Sequence, residues 1–135
     1  MAGAFQFELV SPERLLLSEE ATEVVVPGAE GEFGIMAGHA PVMSTMRPGV
    51  LRVVRATGGT ERYFIRGGFA EAGPKGLTVL AEMAVPVEDL KADEIASQIR
   101  DAEEDVRDAK DDASREKAAT VLQQLRDAEN VLKTL

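Results

Sequence analysis

Residues 73–92 of the chain read GPKGLTVLAEMAVPVEDLKA and contain both its last glycine, Gly76, and its last proline, Pro86. All 12 glycines and all 6 prolines of the 135-residue sequence therefore lie at or before position 86. Glycine and proline mark turns between short strands, whereas a long stretch without them that is rich in Ala, Glu, Lys, Leu and Gln favours helix. The sequence thus predicts a β domain over residues 1–86 and a helical segment over residues 87–135.

The region before Pro86 shows the alternation and the turn signals of short strands. Phe5, Phe7 and Leu9 alternate with polar residues, which puts their side chains on one face of a strand. The paired glycines of residues 57–60 favour the positive φ angles of a tight hairpin turn. We therefore expect an all-β antiparallel sandwich of about eight to ten short strands, with separate strands at residues 15–17 and 21–26.

The region after Pro86 shows apolar residues at helical spacings of three and four. One stripe consists of Ile95, Ile99, Ala102, Val106 and Ala109, and a second of Ala118, Leu122, Leu125, Ala128, Leu132 and Leu135. Residues 111–114 between the stripes supply good N-cap residues, so we place a reversal there. The pattern predicts a C-terminal antiparallel α-helical hairpin over residues 87–135, held by an alanine-rich seam that buries little area.

Charge and composition restrict the classes of partner. The net charge of -9 divides into -3 for residues 1–87, with 10 acidic and 7 basic residues, and -6 for residues 88–135, with 14 and 8. Neither part offers the clustered positive charge that a phosphate backbone requires, so no nucleic acid partner is expected. The chain has no cysteine, no signal-peptide pattern and no apolar run long enough to span a bilayer, so we expect it to reach a membrane only through another protein.

The sequence offers little for catalysis. It has one histidine, His39, and no Gly-x-Ser-x-Gly elbow, phosphate-binding glycine loop or calcium loop. We therefore expect no catalytic residue, no metal and no cofactor. His39 is either a structural histidine that bonds to nearby backbone or a contact residue of an interface. A generic sandwich adaptor and a histidine-dependent hydrolase stay open as other functions.

Residues 28–41 are the least regular part of the β region. They contain four glycines at close intervals and end at Pro41, with few apolar residues between them. Closely spaced glycines prevent a long strand and allow sharp turns. Because loops on a rigid scaffold commonly carry function, we interpret this stretch as the candidate functional surface.

Several motifs together resemble the epsilon subunits of F-type ATP synthases. They are VSPER at 10–14, PGAEGEFGIMAGHAPV at 27–42, RPG at 47–49, GGFAE at 67–71 and LTVLAE at 77–82. The resemblance covers essentially the whole chain. It implies a non-catalytic rotor subunit that couples gamma to the c-ring at the cytoplasmic face of a bacterial inner membrane. It also implies a hairpin that can extend toward the alpha and beta subunits and restrain ATP hydrolysis.

The resemblance also implies which residues make the contacts. It assigns the c-ring and gamma interface to Glu30, Glu32, His39 and Pro41 on the loop of residues 30–41, and to Gly67, Gly68 and Phe69. On the hairpin it suggests Arg100, Arg115 and Arg126 as regulatory candidates.

An alternative with the same fold is a regulatory subunit that senses ATP. Bacterial relatives that bind ATP carry an Ile-Asp-x-x-Arg-Ala motif near the start of the first helix. The nearest match here begins at Ile95, where Ala96 replaces the acid and Arg100 is displaced by one position. A one-residue shift turns the arginine by about 100° around the helix.

Overall fold

The computed structural model describes residues 3–134, which form seven β-strands followed by a short 3-10 helix and two α-helices. The elements are β1 (Phe5–Val10), β2 (Leu15–Gly28), β3 (Gly31–Met36), β4 (Val42–Thr45), β5 (Gly49–Arg55), β6 (Thr60–Gly73), β7 (Gly76–Pro86), the 3-10 turn Val87–Asp89, α1 (Ala92–Asp108) and α2 (Asp112–Thr134). The chain divides into two compact units, Met1–Val87 and Glu88–Leu135. Leu135, which we assigned to the second apolar stripe, lies outside the described residues.

The strands of the first unit form a sheet that closes on itself. The strand order is β1-β7-β6-β5-β2-β3, and an added pairing of β1 with β2 completes the ring. β4 lies off this path and pairs with β6. The β1–β7 pairing is parallel, and the other pairings among the described strands are antiparallel. The predicted β-sandwich followed by two helices is confirmed.

The strands are fewer and longer than the turn signals predicted. The described residues form seven strands, whereas eight to ten were expected. The two strands predicted at 15–17 and 21–26 are one 14-residue strand, β2. No glycine or proline interrupts its polar middle, where Glu19 pairs with Phe7 of β1. An irregularity between Ala21 and Glu23 marks the point where β2 changes its partner from β1 to β5.

The core of the sandwich is made by the inward-facing residues of these strands. β1 contributes Phe7 and Leu9, both fully buried, as its alternation predicted. The other large, fully buried side chains of this core are Val24, Val26, Ile35, Leu51, Val53, Ile65, Leu77 and Val79. Burying each of these side chains contributes about 1.5–3 kcal/mol relative to leaving it exposed. The sandwich therefore has a substantial core of its own.

The 14-residue strand β6 bends at Gly67 and Gly68 and changes its partner there. Its first half pairs with β5 as far as Ile65, and its second half pairs with β4 from Phe69 onward. Gly67 has φ 70° and Gly68 has φ 104°, both in the region that favours glycine. The register with β7 is the same on both sides of the bend, so no extra residue is inserted. The two glycines thus form a bend without the extra residue that defines a β-bulge.

Gly68 leaves no room for a side chain next to β7. A Cβ atom at Gly68 would lie 1.9 Å from the backbone oxygen of Leu80. At Gly67 the nearest atom would be Oε2 of the Glu82 side chain, at 2.7 Å, and that side chain can move. The backbone oxygen of Gly68 accepts a hydrogen bond of 2.9 Å from the N–H of Met46, directly after β4. The bend thus fixes the position of β4.

The second unit is a helical hairpin with a thin seam. Of the predicted stripes, Ile95 and Ala102 of α1 and Ala128 of α2 are buried, whereas Leu122 and Leu125 are only half-buried. The reversal lies at residues 109–111 and not at 111–114, because residues 112–114 already form the first turn of α2. Within residues 3–134, neither helix has the length and apolar composition that a bilayer crossing requires.

The two glycines of the bend give a paired test. We expect Gly67→Ala to lower the free energy of unfolding by about 1–2 kcal/mol, the cost of an L-residue at positive φ. Gly68→Ala should cost at least about 3 kcal/mol, because its Cβ would overlap the backbone of β7 as well. Urea unfolding followed by the fluorescence of Tyr63, the single tyrosine, reports on β6 itself. Equal losses in the two variants would contradict this account of the bend.

Candidate functional site

A surface groove of about 780 Å³ lies between the start of β3 and β4. It is lined by Ala29, Glu30, Gly31, Glu32, Phe33, His39, Val42, Met43, Ser44 and Thr45. The Ala29 N–H donates to the Thr45 oxygen (2.9 Å), and the Arg47 N–H donates to the Pro27 oxygen (3.0 Å). These backbone bonds join the two sides of the groove, so its shape belongs to the folded sandwich.

The stretch predicted as a loop, residues 30–41, is more regular than its glycines suggested. Gly31–Met36 form strand β3, which pairs with β2. Phe33 and Ile35 alternate inward, and Ile35 is buried beneath the sheet. This alternation sustains a six-residue strand despite the glycines. The irregular segments are thus only the turn at 29–30 and the loop at 37–41.

The groove brings together three of the residues that the resemblance assigned to the interface. Glu30 is exposed in the turn before β3, and Glu32 is exposed on that strand. His39 is half-buried, and all three residues line the groove. Pro41 is exposed directly before β4 but is not among the residues that line it.

His39 combines a structural contact with a free ring nitrogen. Its backbone N–H donates to the Met36 oxygen (3.2 Å), and its Nδ1 lies 2.6 Å from the backbone oxygen of Ala40. Because a carbonyl oxygen only accepts, Nδ1 carries the proton in this contact and Nε2 is left for another partner. His39 can therefore bond to nearby backbone and contact a partner at the same time.

Phe69 belongs to a second surface, which shares β4 with the groove. Phe69 pairs with Thr45, and Glu71 pairs with Met43. Residues directly opposite each other lie on the same face of a sheet, so these four form one face, which we call the β4–β6 outer face. Met43 is 63 % exposed and Phe69 is 39 % exposed. Gly67 and Gly68 form the bend beside this face, but as glycines they add no side chain to it.

The sequence analysis missed the contribution of β4 to the site. Val42 and Met43 were assigned only to a strand, yet both line the groove, and both are exposed apolar side chains. Their sequence gave no clue, because the four residues of β4 do not alternate between buried and exposed side chains. Its pairing with residues 69–72 is long-range, so no local pattern indicates it.

The three arginines of the hairpin do not converge on one site. Arg126 crosses between the helices, with its Nη2 3.2 Å from Oε2 of Glu103. Arg115 lies at the reversal, where Nη1 is 3.3 Å from Oδ1 of Asp112 and Nη2 donates to the backbone oxygen of residue 109 (3.0 Å). Arg100 is exposed and forms no ion pair within residues 3–134. Two of the three thus have partners inside the hairpin.

The reversal depends on a helix cap. The backbone N–H of Ser114 donates to Oδ1 of Asp111 at 2.7 Å, which satisfies an otherwise unpaired N–H in the first turn of α2. This bond, together with a second from the Ser114 side chain, lowers the pKa of Asp111, because both stabilise the ionised carboxylate.

The lowered pKa of Asp111 predicts an acid-sensitive start of α2. A carboxylate whose pKa is lower in the folded than in the unfolded chain stabilises the folded state. This stabilisation is fully present above the ordinary pKa near 3.8 and is lost as the pH falls through the lower folded-state pKa. Asp111→Asn should keep the cap and remove this part of the acid response, whereas Asp111→Ala should lose helix at neutral pH as well. Circular dichroism at 222 nm between pH 7 and pH 2 measures both effects.

Asp101→Asn, an exposed position within α1, is the matched control for the general effect of removing one carboxylate. An acid transition of Asp111→Asn identical to that of Asp101→Asn would show that the cap does not titrate.

Comparisons with known proteins place these features in context. The family described as ATP synthase, Delta/Epsilon chain, beta-sandwich domain matches residues 4–87. A protein of Mesorhizobium japonicum named ATP synthase epsilon chain is 55% identical over 132 residues, which cover 98% of this chain and 98% of that protein. A protein of the same name from Parvibaculum lavamentivorans is 53% identical over 127 residues, covering 94% and 96%.

Solved structures show the same fold. A chain of the Euglena gracilis mitochondrial ATP synthase, in a structure of OSCP, F1 and the c-ring, aligns with a TM-score of 0.79 and 26% identity, covering 96% of this chain and 81% of that chain. A chain from the central stalk and c-ring of the Tetrahymena thermophila mitochondrial ATP synthase aligns with a TM-score of 0.66, covering 95% and 98%. At 13% identity, the second likeness shows the fold alone.

Proposed function

The chain belongs to the family of ATP synthase epsilon subunits and is a subunit of the central stalk, and we propose that its sandwich couples the gamma subunit to the c-ring. The observation that carries this proposal is that the groove and the β4–β6 outer face meet at the same short strand, Val42–Thr45. A subunit that transmits rotation needs two adjacent docking surfaces on one rigid body.

The rigidity of β4 supports this role. Its backbone pairs with β6 along all four residues, and the Thr45 oxygen accepts the further bond from Ala29. The next residue, Met46, is 6 % exposed and bonds to Gly68 at the bend of β6. The side chains that β4 contributes to both surfaces are therefore held by a hydrogen-bonded strand and not by a flexible loop.

The charge of the groove supports partners with basic groups. Glu30 and Glu32 are exposed and form no ion pair within residues 3–134. Complementary charge at the rim of an interface steers association and fixes orientation. The gamma subunit and the c-ring loops thus meet the groove through basic groups facing these two carboxylates.

The chain acts without catalysing a reaction itself and works as a peripheral subunit at the cytoplasmic face of the bacterial inner membrane. The bacterial relatives at 55% and 53% identity support this location, and their name describes one chain of a larger enzyme. In this role the chain needs no cofactor, because the contacts that it makes are its whole contribution.

The hairpin is the regulatory part of the proposal and restrains ATP hydrolysis by extending toward the alpha and beta subunits. Its thin seam supports this, because only small alanines and one isoleucine are buried among its described residues. The Glu103–Arg126 pair across it is about half-exposed, and exposed pairs are worth about 0.2–1 kcal/mol. A weakly closed hairpin suits a two-state element.

Reversing the charge of the groove should weaken docking. We expect Glu30→Lys and Glu32→Lys each to reduce the affinity for the cognate gamma and c-ring assembly by about tenfold, since a basic side chain would face basic groups. Glu13→Lys, in the exposed turn between β1 and β2, is the matched control and should change the affinity less than about twofold. Binding to complexes stripped of this subunit, measured at two salt concentrations, tests this. Equal losses at all three positions would refute a docking role for the groove.

Removing the hairpin should separate docking of the sandwich from the restraint of ATP hydrolysis. A chain ending at Val87 keeps every strand and the whole sandwich core, so we expect it to dock and to support ATP synthesis. ATP hydrolysis by the reconstituted enzyme should rise at least about twofold, because no segment is left to enter the catalytic head. Unchanged hydrolysis would remove the regulatory role, whereas failure to dock would show that the hairpin contributes to the interface.

A further inference from the structure

We propose that Met43 is a site of reversible oxidation to methionine sulfoxide and that this modification weakens docking of the β4–β6 outer face. The inference rests on the proposed function, because it adds an oxidant-dependent control to the same surface. The sulfur content of the chain is the first reason. There is no cysteine, so every sulfur atom available to an oxidant belongs to one of 5 methionine thioethers.

The methionines within residues 3–134 differ sharply in exposure. Met43 is 63 % exposed and Met36 is 46 % exposed, whereas Met46 is 6 % exposed and Met83 is half-buried. Because oxidation of a thioether follows its accessibility, Met43 should react first and Met46 last. Met43 and Met46 lie only three positions apart, so the buried residue is a natural internal control.

The position of Met43 gives its oxidation a consequence. Its side chain lies on the β4–β6 outer face with Phe69, which is a further exposed apolar residue. A thioether adapts to apolar and aromatic surfaces, whereas a sulfoxide is polar and carries a strong acceptor. Docking removes the sulfoxide oxygen from water, which is unfavourable for a polar acceptor, so binding should weaken.

The chemical step needs only a hydroperoxide as the oxidant. The sulfur lone pair of Met43 attacks one peroxide oxygen, an S–O bond forms and the O–O bond breaks. The sulfur loses two electrons, and hydrogen peroxide is reduced to one water molecule as a proton moves to the departing oxygen. A methionine sulfoxide reductase reverses the change, which makes it a usable switch.

The test uses the full chain and hydrogen peroxide as the probe. Peptide mass spectrometry over a time course should show sulfoxide at Met43 at least about tenfold faster than at Met46, with Met36 between them. Binding of the chain to cognate gamma is then measured before and after peroxide, and we expect about a five- to tenfold loss. Treatment with sulfoxide reductase should restore the affinity.

Variants assign the effect to one sulfur atom. The affinity ratio before and after peroxide is compared within each variant, so any change in the starting affinity cancels. Met43→Leu should bring this ratio close to one, whereas Met46→Leu and Met36→Leu should keep most of the loss. A peroxide effect that persists in Met43→Leu, or an oxidised chain that binds as tightly as before, would overturn the inference.

Protection by the partner separates this inference from the proposed function. In the assembled complex Met43 should be oxidised more slowly than in the free chain, while the buried Met46 should not change. A chain that fails to bind gamma before any peroxide treatment overturns the proposed function and with it the effect of oxidation on docking. The order of sulfoxide formation in the free chain then still decides whether Met43 is the site.

Discussion

The architecture of the two proposed docking surfaces depends on one backbone constraint, the bend of β6 at Gly67 and Gly68. Both residues have positive φ, and Gly68 lies so close to the backbone of β7 that even a methyl group would overlap it. The bend lets one strand pair with β5 before it and with β4 after it, while its register with β7 continues unbroken. At this bend the Gly68 oxygen also accepts the bond from the Met46 N–H, which holds the end of β4.

The consequence of that bend is a short strand that serves two surfaces. β4 forms one side of the groove that holds Glu30, Glu32 and His39, and it also presents Met43 on the outer face with Phe69. β4 pairs with β6 on one side, and on the other side the Thr45 oxygen accepts a bond from the Ala29 N–H in the turn before β3. Exposed apolar side chains that would weaken an isolated domain are expected where a partner covers them.

The two units are stabilised by different means, which suits different roles. The sandwich buries large side chains such as Phe7 and Leu51 completely, and its sheet closes through β1 and β2. The hairpin buries few side chains along its seam and adds a half-exposed ion pair and a cap at Asp111. A dense core resists deformation under load, whereas a thin seam opens at low cost in free energy.

Local patterns in the sequence were enough to determine the class of fold, because strand alternation, turn glycines and helical stripes act between near neighbours. They predicted the sandwich, the helices and the hairpin turn at residues 57–60, and the motif at 27–42 indicated the family. They did not determine that residues 15–28 form one strand, because the second half of this strand also pairs with the distant strand β5. They did not determine that residues 31–36 are β3, because Gly31 and Gly34 weaken the local signal of a strand that pairs with β2. Only the tertiary structure decided which surfaces exist, since Met43 and Phe69 come to lie on one sheet face through a long-range pairing that no local pattern contains.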